Sequence, residues 1–98
     1  MAYLKFTATG DSMRPTINEG DELTVNTKTK IGAGDIIVFQ LTRNTKLMCK
    51  RVHHVLETAG GKLYWVVSDN IGRDSKDFGY IPDYLVVGEV RKINGEKV

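Results

Sequence analysis

Short runs of β-branched and aromatic residues recur along this chain, each set off by glycine, proline or a Gly-Asp pair. Runs of this length and composition suit a pleated, half-buried surface and read as strands. The pattern predicts strands near Leu4–Ala8, Glu22–Asn26, Asp35–Leu41, Leu47–Leu56, Lys62–Ser68 and Leu85–Ile93. The stretch "ETAGGKLYW" reads as a hairpin with Ala59-Gly60-Gly61 at its tip. Only Ser12–Ile17 has the look of a helical turn, with Pro15 tolerable in its first turn. Six short strands at this spacing predict an all-β fold: a small, partly open barrel or sandwich of mostly antiparallel strands, carrying one short helical turn.

Composition narrows the picture. The chain has 98 residues, which predicts one domain over residues 1–98. A hydrophobic fraction of 41% is enough for a small core. The formal charge is only +2, and no Lys/Arg cluster tracks a phosphate backbone, so nucleic acid is not an expected partner. A single cysteine, Cys49, excludes an intramolecular disulfide and a cysteine-based metal site. His53 and His54 are adjacent, and on a regular strand they would point to opposite faces, so no metal or other cofactor is expected. No apolar run approaches the roughly 18 residues of a membrane span. The opening "MAYLKFTATG" is too short and polar for a secretory signal.

Two residues stand out chemically. Ser12 lies in "TGDSMRPTINEGD", between a Gly-Asp turn signal and a proline. It is either the N-cap of a turn or a nucleophile. Lys50 lies in the strand "LMCKRVHHVL", where strict alternation gives it Met48, Val52, His54 and Leu56 as face-mates. Three of these four are apolar. Such a lysine either snorkels to water or is held in an apolar setting. Held there, its ammonium form is disfavoured and its pKa falls. A neutral lysine amine is able to take the proton of a serine hydroxyl.

The blocks "GDSMRPTI", "EGDELTV", "GAGDIIVF", "CKRV", "SDN", "DSKDFGYIP" and "VVGEV" together resemble the serine–lysine peptidase superfamily of type I signal peptidases and LexA-like self-cleaving repressors. The resemblance runs from about Thr7 to Val90, with the blocks in the superfamily's order. It implies Ser12 as nucleophile and Lys50 as general base. It also implies an oxyanion hole and substrate pocket formed around Ser12, with Asp11, Met13 and Pro15 beside it. Arg51, Asp74 and Ser75 are implied as supporting residues, Arg51 through an ion pair with Asp69 or Asp74. Ser68 and Ser75 are the candidates for orienting Lys50. Gly10 stands where many bacterial signal peptidases carry an oxyanion-hole serine, which leaves the hole to backbone donors. The block Asp74–Pro82 is similar to one in signal peptidases and tilts the resemblance toward that branch, as a minimal catalytic core without a membrane anchor.

The function so implied is a serine endopeptidase that cuts after small residues, with its peptide or protein substrate bound as an added strand. The alternative is a non-catalytic peptide-binding or regulatory module on the same fold. The expected location is cytoplasmic for a complete chain. For a trimmed signal peptidase it is the extracytoplasmic membrane face, and only then is the membrane a partner.

Overall fold

The computed structural model describes residues 3–27, 30–42 and 46–98. Within these, eight strands form one curled antiparallel sheet, a half-open barrel. In chain order the strands are β1 (Tyr3–Thr7), β2 (Glu22–Asn26), β3 (Ile36–Phe39), β4 (Met48–Thr58), β5 (Gly61–Val67), β6 (Ile81–Pro82), β7 (Val86–Ile93) and β8 (Glu96–Lys97). Their order across the sheet is β1-β2-β7-β3-β4-β5-β6, with β8 paired to β7. The six strands expected from the residue pattern are all present. No helix among the described residues is long and apolar enough to cross a membrane.

The fold is organised around β3. Its four residues, Ile36 to Phe39, are all buried, as a central strand covered on both faces requires. Ile36 and Val38 join Met13, Ile17, Leu23, Val25 and Val90 in one apolar cluster. Ile37 and Phe39 join Val52, Tyr64, Val66 and Ile81 in a second. The two-residue period of a strand thus sends alternate side chains into two cores.

Three local features differ from the pattern. The β4–β5 hairpin turns on two residues, Ala59-Gly60, because Gly61 already pairs with Thr58 as the first residue of β5. Ser12–Ile17 is a run of turns rather than a helix. Its one helical hydrogen bond runs from Ile17 N–H to Met13 C=O, at 2.9 Å. The one α-helical turn of the described chain, α1 (Ser75–Phe78), sits elsewhere, with Asp74 and Asp77 forming a capping box at its start.

A β-bulge between Val52 and His54 has the largest consequence. One extra residue shifts the alternation of β4. Before the bulge, Met48 and Val52 pack in the second core with Lys50 between them. After it, Val55 packs there and Leu56 is exposed. Two of the expected apolar face-mates of Lys50 therefore hold, and Leu56 does not.

Candidate active site

The site is built where three segments meet: the turn Gly10–Ile17, the start of β4, and the loop Ser68–Asp74 after β5. Lys50 is 4% exposed. Its Nζ donates to Ser12 Oγ at 2.9 Å and to Ser68 Oγ at 2.9 Å. Burial pushes the Lys50 pKa below its ordinary value, while the nearby Asp74 charge opposes that shift more weakly. Both side-chain partners of Lys50 are neutral hydroxyls. Ser68 Oγ in turn donates to Arg73 C=O at 3.3 Å. With its hydrogen committed there, Ser68 presents a lone pair to the amine. One Nζ hydrogen is thereby held on Ser68, and one further position of the amine faces Ser12 Oγ.

The loop after β5 holds the Ser12 turn in place. Asn70 N–H donates to Ser12 C=O at 2.8 Å, and Asn70 Nδ2 donates to Asp11 C=O at 3.0 Å. Asp69 N–H donates to Met13 Sδ at 3.4 Å. Thr16 Oγ1 donates to Asp69 Oδ2 at 2.7 Å. Gly72 passes so close that a Cβ there would stand 2.7 Å from Ser12 Cβ, 3.1 Å from Ser68 Oγ and 3.4 Å from Lys50 Nζ. Only a residue without a side chain fits over the pair.

Arg51 faces away from Lys50 and forms a two-pronged ion pair with Asp69, Nε to Oδ1 at 2.9 Å and Nη2 to Oδ2 at 2.8 Å. Its Nη1 also donates to Gly34 C=O at 2.8 Å. This pairing holds the Arg51 pKa above and the Asp69 pKa below their ordinary values. Asp69, rather than Asp74, is the partner.

Beside the pair lies a groove of about 420 Å³, lined by Phe6–Gly10, Ser12, Met13 and Lys46–Lys50, with Leu23 and Val38 at its floor. Met13 is buried and lines the groove. Asp11 and Pro15 do not line the groove. Both are exposed, and each offers its carbonyl to a local turn, Asp11 to Arg14 N–H and Pro15 to Asn18 Nδ2. Ser75 does not reach Lys50 either. It is buried at the start of α1, and its Oγ accepts from Val66 N–H at 2.8 Å. Asp74 caps the same helix and acts on Lys50 only through its charge. Cys49 packs against the first core, and burial pushes its thiol up to about 12, far from a reactive thiolate.

The residues that reasoning from sequence did not single out are Gly72, Asn70 and Thr16. Gly72 reads as one more loop glycine, and only the folded loop shows what it passes. Among the described residues, no group of three or more His, Cys, Asp or Glu is disposed to hold a metal ion. Compared with known proteins, residues 2–90 match the family described as Peptidase S24-like. No curated protein matches the chain.

Proposed function

The chain belongs to the Peptidase S24-like family, within the serine–lysine peptidase superfamily, and from that premise we propose that it is a serine endopeptidase working through Ser12 and Lys50. Family membership carries a serine-type peptidase reaction in general; the match does not single out the signal peptidase branch. The observation that supports the finer reading is the 2.9 Å contact between Ser12 Oγ and a Lys50 amine that is buried without a carboxylate partner.

Lys50, neutral, takes the Ser12 proton as Oγ attacks the substrate carbonyl carbon. The oxyanion that forms is met by backbone N–H groups of the Ser12 turn. Lys50 then protonates the leaving amine. The resulting ester on Ser12 is hydrolysed by water that Lys50 deprotonates in turn. Ser68 keeps the amine aimed through both steps.

The substrate lies extended along the groove. On the β2 side, Ala8 both donates to Asp21 C=O and accepts from Gly20 N–H. Antiparallel alternation therefore turns the main-chain groups of Thr7 and Thr9 outward, along the free edge of the sheet. A peptide pairing there adds a strand, and its side chains meet the apolar floor. Small residues one and three positions before the cut suit that floor. No metal or cofactor takes part in these steps.

The direct test is incubation with a diverse peptide mixture from about pH 7 to 9, read by mass spectrometry. Cuts after small residues that vanish in Ser12→Ala and in Lys50→Ala support the reading. Cuts that survive both substitutions, or none at all, overturn it in favour of a peptide-binding module.

A further inference from the structure

The loop Ser68–Asp74 carries one side chain that the fold leaves in the open beside the reacting pair. Ile71 is 92% exposed, more than any other large apolar residue among the described ones. A lone apolar side chain on a surface is ordinary. This one is tethered on both sides. Before it, Asn70 donates from its backbone to Ser12 C=O at 2.8 Å and from its side chain to Asp11 C=O at 3.0 Å. After it, Gly72 packs against Ser12, Ser68 and Lys50 so closely that no Cβ fits. Arg73 then fixes the end of the loop. Its C=O accepts from Ser68 Oγ at 3.3 Å, and its guanidinium lies 6.0 Å from the centre of the Phe78 ring. Consecutive Cα atoms are about 3.8 Å apart, so Ile71 starts one residue from the backbone that touches Ser12. A tethered loop thus holds an isoleucine in water at the edge of the site, without the burial that such a side chain normally gains.

The groove decides which part of a substrate meets it. Ser12 and Lys50 line the groove, and no residue of the loop Ser68–Asp74 does, so the loop lies across the reacting pair from the groove. We propose that Ile71 is a specificity-determining residue that contacts the first residues after the cut bond and favours apolar ones. This rests on the peptidase reading, with the residues before the cut lying in the groove. An extended peptide advances about 3.3 Å per residue, so the first two residues after the cut pass along the loop. An apolar side chain there covers Ile71 and removes both from water. When the ester on Ser12 forms, the C–N bond of the substrate breaks. The residues after the cut leave as the amine, carrying the proton that Lys50 took from Ser12. Their contact with Ile71 therefore acts on formation of the ester and not on its hydrolysis.

The test gives the full chain two peptides with Ala one and three positions before the cut. They differ only in carrying Leu-Leu or Ser-Ser directly after it. Cleavage at low peptide concentration reads kcat/KM, which reports the steps up to ester formation. The unsubstituted chain should cut the leucine peptide about tenfold faster than the serine peptide. Ile71→Ser should slow the leucine peptide about tenfold and leave the serine peptide nearly unchanged, and Ile71→Val should keep the preference. No preference in the unsubstituted chain, a preference that survives Ile71→Ser, or an equal slowing of both peptides overturns the proposal and leaves the peptidase reading standing. No cleavage of either peptide by the unsubstituted chain overturns both.

Discussion

Lys50 and Arg51 are consecutive cations on one strand, and the fold treats them in opposite ways. Arg51 meets the carboxylate of Asp69 in a two-pronged pair and is held more firmly charged. Lys50 is buried against two neutral hydroxyls, and burial pulls it toward its uncharged form. A buried cation without a counter-ion costs free energy that an ordinary structural lysine does not bear. The difference separates a group that holds the loops together from a group poised to exchange a proton. Perturbed pKa values of the second kind cluster at functional sites.

Breaking the Lys50 side should remove activity with little change in fold. Ser12→Ala or Lys50→Ala is expected to lower kcat by at least about 10³-fold, and the double variant by little more, since the two act as one unit. Circular dichroism should show the same sheet in all three. Next in size is Gly72→Ala. The added Cβ pushes on Ser12, Ser68 and Lys50 at once, and a displacement of the order of 1 Å costs about 10²-fold in rate. Ser68→Ala, which leaves Lys50 with only Ser12 to aim it, should cost about tenfold in kcat with KM nearly unchanged.

Breaking the Arg51 side should do the reverse. Asp69→Asn removes the ion pair and is expected to lower stability by about 1 kcal/mol, with Arg51 partly solvated. The pH dependence separates the two sides further. The folded-state pKa of Asp69 lies below its ordinary value, so its contribution is present above about pH 4 and is lost as pH falls through the depressed value. Acid unfolding of Asp69→Asn should therefore be shallower than that of the unsubstituted chain, measured by denaturant midpoint against pH. Cleavage should instead rise with pH through the lowered pKa of Lys50 and then level off, and Asp69→Asn should leave that profile in place.

The contrast between the two cations was only half legible in the sequence. Period-two patterning identified all six main strands and placed Lys50 between Met48 and Val52, because those residues lie before the bulge and follow strict alternation. The bulge itself leaves no mark in "KRVHHVL". It misplaced Leu56 and hid the meeting of His53 with His54. The Ser-Met and Lys-Arg-Val blocks marked the two residues that now stand 2.9 Å apart. The loop over them was harder to read. Ser68 and Ser75 are equally plausible partners for Lys50 on paper. Only the capping box that begins a helix at Ser75 turns that hydroxyl toward Val66 and leaves the amine to Ser68. Asp11 and Pro15 flank the groove residues in sequence, yet the tight turns at Arg14 and Asn18 take both to the outside.

The central claim is that Lys50 sits in the folded chain as an amine that gives up its proton readily. It is tested most directly by following the titration of the Lys50 side chain itself, by nuclear magnetic resonance of the carbon next to its amine, assigned by comparison with Lys50→Ala. The expected midpoint lies clearly below the ordinary lysine value of 10.5. A midpoint at or above that value would mean that Lys50 stays charged at the pH of catalysis and is not the base.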